Sequence, residues 1–343
     1  MNLEQFKDIK QLLSQPKKIA IVSHRNPDGD AYGSSLALYY YLLKFEHQVT
    51  VVSPNDCPDF MKWLPAQNKI IIFEKEEQKG TKILEEAEIV FTLDFNALHR
   101  VGVKMQETLE KINPVFIMID HHQQPDDYAQ YTYVDPEVCS TSQMLYQLIE
   151  KLDHLEYIDN NIATCLYTGI MTDTGSFRFP STTSLTHRIV AHLIDKGANG
   201  AAIYNKIHDV NTFGRLQLLG RALNNLKVID KYHMAYITLS QSELSNFNFK
   251  KGDTEGFVNY ALSIKNVIFA AIFIEDKKQK IIKISFRSVG DFSVNDFSRN
   301  HFNGGGHVNA AGGKSDESLH NTVTEFLSIL PNYQKELKES YEK

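Results

Sequence analysis

Residues 115–122 read Val115-Phe116-Ile117-Met118-Ile119-Asp120-His121-His122, an apolar run that ends in one carboxylate and two imidazoles. Such a run is typical of a strand that is buried on both faces of a parallel sheet. Open α/β sheets bind their ligands beyond the carboxyl ends of the strands. The segment therefore predicts a parallel sheet, with Asp120, His121 and His122 at the edge where an active site forms.

Three more groups of acidic residues occupy related positions. The loop Ser23-His24-Arg25-Asn26-Pro27-Asp28-Gly29-Asp30 follows the apolar residues 19–22, and Asp94 follows the apolar residues 89–93. Asp173 lies in the segment Thr168-Gly169-Ile170-Met171-Thr172-Asp173-Thr174-Gly175. Aspartates and histidines in such places predict a two-metal centre.

The spacing of these residues indicates how two cations would be held. Asp28 and Asp30, two residues apart around Gly29, can face different cations from a single tight turn. Asp94 arrives alone from a separate strand end and is suited to bridge both cations with its two oxygens. Carboxylate and imidazole ligands without thiolates favour Mn²⁺, or Mg²⁺ with more water, over structural zinc. The predicted metal ligands are His24, Asp28, Asp30, Asp94, His121 and Asp173.

A simpler alternative is that these aspartates cap helices or lie in turns, because Asp and Asn are common N-caps. Asp28 and Asp30 precede a helix that is expected to begin at about Ala31. Asp94 or Asp173 alone is equally compatible with a cap or a turn. Their joint occurrence with the residues 120–122 favours the metal centre.

The composition is that of a globular protein. The chain has 343 residues, 42% hydrophobic and 23% charged, which is enough for two domains with separate cores. A net charge of −6 argues against a general electrostatic binder of nucleic acid, although two divalent cations would attract phosphate locally. Cys57, Cys139 and Cys165 have no paired spacing that would suggest disulfides or a thiolate zinc site. With no apolar stretch of membrane-spanning length and a polar N-terminus, we expect a cytoplasmic protein without a membrane partner.

Apolar strands alternate with helical patterns in the first part of the chain. Strands are predicted at residues 18–23, 48–53, 70–73, 89–93 and 115–119, and helices at residues 31–44, 104–111, 141–152, 160–171, 183–196 and 212–226. This alternation implies right-handed crossovers and a mainly parallel β-sheet. The predicted fold class is α/β, with a catalytic domain at residues 1–190, a helical linker at 191–227 and a smaller α+β domain at 228–343.

The second domain carries an anion-binding pattern. Strands are predicted at residues 234–239, 267–275 and 280–289, and the last two read as a β-hairpin. The run Gly304-Gly305-Gly306 precedes His307, and successive glycine N–H groups can form a concave anion site, although such a run is also typical of a plain turn. Arg287 and Ser288 end the hairpin and would supply a guanidinium and a hydroxyl to the same phosphate.

These motifs together resemble the DHH phosphoesterase superfamily over nearly the whole chain. The leading motif is His24-Arg25-Asn26-Pro27-Asp28-Gly29-Asp30-Ala31-Tyr32-Gly33-Ser34-Ser35, and Asp94, Asp120-His121-His122 and Asp173 match the next three motifs in order. Gly304-Gly305-Gly306-His307 with Ala310-Ala311-Gly312 is similar to the glycine motif of the DHH-associated domain. The compact two-domain organisation most resembles the NrnA-type nanoRNases, which also remove phosphate from 3′-phosphoadenosine 5′-phosphate (pAp).

The resemblance implies roles for the predicted site residues. One metal would be held by His24, Asp28 and Asp94, and the other by Asp30, Asp94, His121 and Asp173. Asp120 would orient a ligand imidazole through a hydrogen bond. His122 would face the substrate phosphate as a donor or general acid, with a plain strand-end cap as the alternative. Apart from the resemblance, the position of Arg100 six residues after Asp94 predicts a contact with phosphate, with an exposed surface arginine as the alternative. Mn²⁺ and a homodimer are expected from the same resemblance.

The implied reaction is attack by a metal-bridging hydroxide on a phosphodiester or phosphomonoester, with in-line departure of the sugar oxygen. The expected substrates are short single-stranded RNA, linear dinucleotides and the nucleotide bisphosphate pAp, and no long duplex nucleic acid is expected as a partner. The alternatives are an exopolyphosphatase or pyrophosphatase of the same superfamily, and a non-catalytic nucleotide-binding sensor. The complete set of Asp and His ligands favours an enzyme. Among 20 Phe and 16 Tyr, the sequence singles out no ring that stacks on a base.

Overall fold

The computed structural model describes residues 3–342 and divides the chain into two compact units, Met1–Val210 and Asn211–Lys343. Each unit is built around its own six-stranded sheet, and the predicted α/β class is confirmed. The residues predicted as a helical linker, 191–227, are shared between the units, because 191–210 belong to the first and 211–227 to the second.

Six strands form a parallel sheet in the first unit. The strands are β1 (Lys18–Ser23), β2 (Gln48–Ser53), β3 (Ile71–Ile72), β4 (Ile89–Leu93), β5 (Val115–Asp120) and β6 (Tyr131–Val134). Their order is β3-β2-β1-β4-β5-β6, so the chain extends the sheet on one side of β1 before it crosses to the other. The carboxyl ends of β1 and β4 therefore border the switch point, where ligands bind in open α/β sheets.

The central strands are apolar on both faces because each face has its own core. Ile19 and Ile21 of β1 belong to the cluster on one face, whereas Ala20 and Val22 belong to the cluster on the other. Burial on both faces explains why these strands read as unbroken apolar runs rather than alternating ones.

Helices surround this sheet, and two of them approach very closely. They are α1 (Leu3–Leu12), α2 (Gly29–Leu43), α3 (Glu77–Glu86), α4 (Val103–Leu109), α5 (Thr141–Lys151), α6 (Asn160–Asp173), α7 (Ser184–Asp195) and α8 (Gly200–His208). A Cβ on Gly33 of α2 would lie 2.6 Å from the carbonyl oxygen of Cys165 in α6, and one on Gly29 would lie 2.3 Å from Oγ1 of Thr172. The first turn of α2 is thereby packed against the last turn of α6.

The second unit has a mixed sheet of order β11-β12-β10-β9-β8-β7. Its strands are β7 (Lys227–Ile229), β8 (Met234–Leu239), β9 (Phe269–Asp276), β10 (Ile281–Ser288), β11 (Gly305–His307) and β12 (Ala310–Ser315), and its helices are α9 (Phe213–Asn224), α10 (Gln241–Asn246), α11 (Phe257–Leu262), α12 (Val294–His301), α13 (Leu319–Ile329) and α14 (Gln334–Glu342). The predicted hairpin is present as the antiparallel pair β9 and β10, whereas β8 and β9 are parallel. Between residues 3 and 342, no helix combines the length and the apolar character needed to cross a membrane.

Candidate metal centre

The loop after β1 positions the first imidazole. His24 is buried, and its Nδ1 lies 2.9 Å from the carbonyl oxygen of Arg25. A carbonyl only accepts, so Nδ1 carries a proton and the other ring nitrogen, Nε2, is the atom turned toward the acids. The backbone is left-handed at Asn26, with φ of 57, and the Asn26 N–H donates to Oδ1 of Asn55 at 2.6 Å. Asn55, which the sequence did not single out, therefore holds the loop in place.

Asp28 is the N-cap of α2. Its Oδ1 accepts hydrogen bonds from the backbone N–H groups of Asp30 and Ala31, both at 3.0 Å. The capping alternative is thus realised for this residue. The same Oδ1 also lies 3.9 Å from Nε2 of His24, and a carboxylate has more lone pairs than the cap uses. Capping and cation binding are compatible at Asp28.

Asp94 lies at the centre of the cluster. It follows β4 with a left-handed φ of 65, a conformation that Asp tolerates better than most residues, and its N–H donates to the Ile119 carbonyl at 3.1 Å. Its Oδ2 lies 3.3 Å from Nε2 of His24, and its Oδ1 lies 3.5 Å from Nε2 of His121. One carboxylate thus faces both imidazoles, which is the arrangement that a bridging ligand needs.

Asp30 is held by the N-terminus of α5. Its Oδ2 accepts the Thr141 N–H at 2.6 Å, and its Oδ1 accepts the Ser142 N–H at 2.9 Å. The Thr141 hydroxyl donates to Oδ1 of Asp94 at 3.0 Å. The first N–H groups of a helix have no partner within the helix and favour a carboxylate. Thr141 and Ser142 were not predicted as site residues, although the polar run Ser140-Thr141-Ser142 before a helix is a capping signal.

Asp173 is the last residue of α6 and lies next to His121. Oδ2 of Asp173 lies 3.2 Å from Nε2 of His121. The other ring nitrogen of His121, Nδ1, lies 3.2 Å from the carbonyl oxygen of Val138, which orients the ring. The structure therefore brings Asp173 and His121 together, as the sequence predicted for the second cation.

Asp120 pairs with the neighbouring histidine. Its Oδ1 lies 2.7 Å from Nδ1 of His122, so the imidazole that it orients is that of His122 rather than the predicted ligand His121. Nδ1 of His122 lies 3.9 Å from Oδ1 of Asp94. Asp120 is fully buried, and its Oδ2 has no hydrogen-bond partner among the described residues.

Crowding of these groups shifts their pKa values. Burial and the charge of Asp94 raise the pKa of Asp30 to about 7, and burial raises the pKa of Asp173 well above its usual range. Burial disfavours the imidazolium of His24, but the hydrogen bond with Asp94 contributes to raising its pKa to about 9. For Asp94, hydrogen bonds from His121 and His24 outweigh burial and hold the pKa well below its usual range. The cluster therefore retains protons that a cation would displace.

The donor atoms fit divalent cations. Among residues of the first unit alone, three groups have ligand atoms within 4.8 Å of one another: His24 with Asp28 and Asp94, Asp30 with Asp94 and His121, and Asp94 with Asp120 and His122. Buried carboxylates at this density repel one another unless positive charge is present. The unpartnered Oδ2 of Asp120 would gain a partner from a cation or its water. Oxygen and imidazole donors without sulfur suit Mn²⁺ or Mg²⁺.

Arg100 lies at the rim of the same sheet edge. It is exposed in a short 3₁₀ turn after β4, and its carbonyl oxygen accepts the N–H of Arg25 at 2.8 Å. This bond joins the loop after β4 to the leading loop after β1. A contact between the Arg100 side chain and phosphate stays a prediction.

The other predicted substrate residues lie in the second unit. Arg287 and Ser288 end β10, and the Ser288 hydroxyl donates to the Phe292 carbonyl at 2.7 Å while it accepts from Nδ2 of Asn309 at 2.9 Å. Gly305, Gly306 and His307 form β11, which pairs with β12. Phosphate binding by Arg287, Ser288 and His307 stays a prediction.

The glycine run is required by the packing of this hairpin. A Cβ on Gly304 would lie 1.9 Å from the carbonyl oxygen of Gly312, and one on Gly306 would lie 2.4 Å from that of Ala310. The N–H of Gly304 donates to the Ser298 carbonyl at 3.3 Å, and that of Gly306 donates to Oδ1 of Asn295 at 3.0 Å. Two of the N–H groups expected to bind an anion are thus already used inside the unit.

The fold and the site define a two-domain α/β protein with carboxylates and imidazoles gathered at the switch point of a parallel sheet. Residues 18–170 match the DHH family, N-terminal domain, and residues 230–336 match the DHHA1 domain. The chain belongs to the DHH family, which confirms the resemblance.

Similar proteins cover most of the chain. The bifunctional oligoribonuclease and PAP phosphatase NrnA of Thermus thermophilus is 30% identical over 295 residues, which are 86% of this chain and 83% of that protein. The protein of the same name from Bacillus subtilis is 25% identical over 295 residues, 85% of this chain and 88% of that one. The crystal structure of an exopolyphosphatase-related protein from Bacteroides fragilis is 39% identical, covers 98% of both chains and superposes with a TM-score of 0.95.

Proposed function

We propose that this protein is a metal-dependent phosphoesterase that hydrolyses very short oligoribonucleotides to mononucleotides and pAp to AMP. It is a hydrolase of phosphoric ester bonds, as relatives named oligoribonuclease and PAP phosphatase are. The observation that carries the proposal is the placement of Asp94, whose two oxygens lie 3.3 and 3.5 Å from Nε2 of His24 and of His121. Family membership supports the same reaction class.

Two cations bound at this cluster would neutralise charge on the phosphoryl group and lower the pKa of a water that attacks it. The residues that would hold them are His24, Asp28, Asp30, Asp94, His121 and Asp173. Asp120 fixes Nδ1 of His122 at 2.7 Å, so His122 would exchange a proton with the substrate through Nε2. Asp120 thereby acts on the substrate through His122, by setting the orientation of its ring.

The test compares substrates on protein that has been stripped of metal and then reloaded. Turnover of pAp, a dinucleotide, a longer RNA, pyrophosphate and polyphosphate is measured with Mn²⁺, with Mg²⁺ and with chelator alone. We expect cation-dependent turnover of the dinucleotide, pAp or both to exceed that of the other substrates. Polyphosphate is included because the structure 39% identical to this chain is described as exopolyphosphatase-related.

A variant at the bridging position sharpens this test. Asp94→Asn should abolish both cation binding and turnover, because an amide neither carries the charge nor bridges two cations. Asp153→Asn is the matched control, since the side chain of Asp153 is 93% exposed and lies outside the cluster. Turnover that persists in chelator, or cation binding that survives Asp94→Asn, contradicts the proposal. Nucleotide binding without any turnover would instead favour a sensor.

A further inference from the structure

The segment that follows Asp173 has an unusual backbone. Gly175, Ser176 and Phe177 have φ values of 55, 62 and 66, so three consecutive residues are left-handed. Residues other than glycine visit this region mostly one at a time, because their Cβ crowds the following carbonyl oxygen. Such strain persists only where the surroundings impose it, and it is concentrated at ligand and active sites.

Hydrogen bonds to the end of α6 impose this turn. The Thr174 carbonyl accepts the N–H groups of Arg178 at 2.9 Å and Phe179 at 3.1 Å, and the Thr174 hydroxyl oxygen accepts the Phe177 N–H at 3.0 Å. The Ser176 N–H donates to the Met171 carbonyl at 2.8 Å. The turn is thus fixed to the same helix end that carries Asp173.

The turn presents one aromatic side chain at the surface. Phe177 packs inward, with its ring centroid 5.8 Å from that of Tyr167. Phe179 is 44% exposed, and its outer ring atoms lie within 3.0 Å of where a Cβ on Gly175 would stand. Glycine at 175 therefore both permits the left-handed φ and leaves room for the Phe179 ring. The ring is held in place by the fold and remains accessible.

We propose that Phe179 is a base-stacking residue, which takes up the nucleobase of the nucleotide whose phosphate reaches the Asp94 cluster. This inference rests on the proposed function. Phe179 lies six residues beyond Asp173, the last residue of α6, but its ring packs over Gly175, two residues beyond that helix end. The ring therefore stays at a constant offset from the candidate cation ligands. Stacking on an aromatic ring is sequence-tolerant, because every base has a π-face. A single exposed Phe is ordinary on a protein surface, and what distinguishes this one is the strained turn that fixes it to the helix end carrying Asp173.

The test uses the full chain loaded with Mn²⁺, and two dinucleotides that differ only by one missing base. The variants are Phe179→Ala, Phe179→Trp as the conservative replacement, and Ile194→Ala as a control of similar exposure, 50%, on α7. KM, kcat and the equilibrium Kd from calorimetry are measured for each. Because stacking on one base contributes enough to change binding by roughly five- to hundredfold, Phe179→Ala should raise KM for the complete dinucleotide by that factor. Phe179→Trp, which keeps an aromatic ring at this position, should have a KM for the complete dinucleotide close to that of the wild-type protein.

The dinucleotide without the base separates stacking from a structural effect. Wild-type protein should bind it as weakly as Phe179→Ala binds the complete dinucleotide, and the variant should show no further loss. An unchanged KM in Phe179→Ala, or an equal rise for both dinucleotides, overturns the inference while the proposed function stands. If wild-type protein binds the dinucleotide in a base-dependent way through Phe179 but never cleaves it, the inference stands and the proposed function fails. If wild-type protein does not bind the dinucleotide, both fail.

Discussion

At the scale of single residues, individual hydrogen-bond donors such as the Thr141 hydroxyl position the carboxylates of the candidate metal centre. The Thr141 hydroxyl donates a hydrogen bond to Oδ1 of Asp94 at 3.0 Å, in addition to the two histidines that face this carboxylate. Hydrogen bonds to a charged group contribute roughly 1.5–3 kcal/mol, about a tenfold effect or more. Thr141 therefore positions the carboxylate that the proposed two-cation arrangement requires.

We expect Thr141→Val to weaken Mn²⁺ binding by about tenfold, because the isosteric side chain removes the hydroxyl that donates to Oδ1 of Asp94. Thr141→Ser should restore most of the affinity. Isothermal titration with Mn²⁺ measures both. Thr168→Val is the matched control, since the Thr168 hydroxyl donates only to the Thr164 carbonyl at 2.8 Å within α6. Equal Mn²⁺ affinity in wild type and Thr141→Val would show that Asp94 is positioned by its other neighbours.

The pKa values set a pH dependence for the cation-free protein. Burial and the charge of Asp94 raise the pKa of Asp30 from 3.8 to about 7, and the pKa of His24 is raised from 6.5 to about 9. A raised folded-state pKa stabilises the fold below the unfolded-state pKa, and this contribution is lost as pH rises through the folded-state value. Stability in chelator should therefore decline between about pH 4 and pH 9.

Cation binding has the opposite dependence, because it needs the deprotonated ligands. We expect the difference in Tm between protein with Mn²⁺ and protein in chelator to widen steadily from pH 6 to pH 8.5. Thermal unfolding in buffers of matched ionic strength checks this. A Tm difference that is constant over this range would mean that Asp30 and His24 do not exchange protons for a cation.

At the scale of elements, the strands that are buried on both faces were predicted from the sequence, and their predicted ends lie close to the observed ones. β1 and β4 have the predicted bounds, residues 18–23 and 89–93. The edge strand β6 (Tyr131–Val134) was missed, because each of its residues is only half-buried and no apolar run marks it. The helix α3 was missed for a related reason, since it buries only Gly80 and Leu84 and its remaining residues are largely charged.

In the candidate site, too, only the residues that have a local signal in the sequence were predicted. Acids and imidazoles that follow buried strands were found, because their chemistry and their position are both local in the sequence. Thr141 and Asn55 were not, since each contributes a hydrogen bond to a residue that is distant in the chain, over 47 and 29 positions respectively. Ordinary polar residues acquire such roles only through the tertiary fold.

The close contact between α2 and α6 fixes the relative positions of the two helices that carry Asp30 and Asp173. A Cβ at Gly33 would meet the Cys165 carbonyl at 2.6 Å and the Gly169 backbone nitrogen at 2.9 Å, and backbone atoms cannot swing aside. We expect Gly33→Ala to destabilise the fold by about 1–3 kcal/mol and to weaken cation binding, because Asp30 and Asp173 lie on these two helices. Denaturant unfolding and Mn²⁺ titration measure the two effects.

Gly220 on α9 provides the control for this substitution. Apart from its chain neighbours and the nearby backbone of its own helix, no atom of residues 3–342 lies within 4 Å of a Cβ built at Gly220. Gly220→Ala should therefore stabilise its helix by roughly 0.5–1 kcal/mol. Similar changes in both variants would show that helix propensity, and not the approach of α2 to α6, determines the outcome.

At the scale of the whole molecule, the predicted metal ligands and the predicted phosphate-binding residues of the glycine motif lie in different units. The six predicted metal ligands all fall in the unit Met1–Val210, and the glycine motif with Arg287 and His307 falls in Asn211–Lys343. A net charge of −6 makes the chain as a whole unattractive to a polyanion, so phosphate binding depends on local positive charge. Bound cations would supply that charge in the first unit.

We therefore expect Mn²⁺ to stabilise one unit and not the other. A cation at about 100 times its Kd adds roughly 2.7 kcal/mol to the stability of the unit that binds it. For about 200 residues this raises Tm by roughly 5–10 °C. Differential scanning calorimetry should show one transition that moves to higher temperature with Mn²⁺ and one that does not, and Asp94→Asn should remove the shift. Equal movement of all transitions would show that cation binding is coupled to the whole chain.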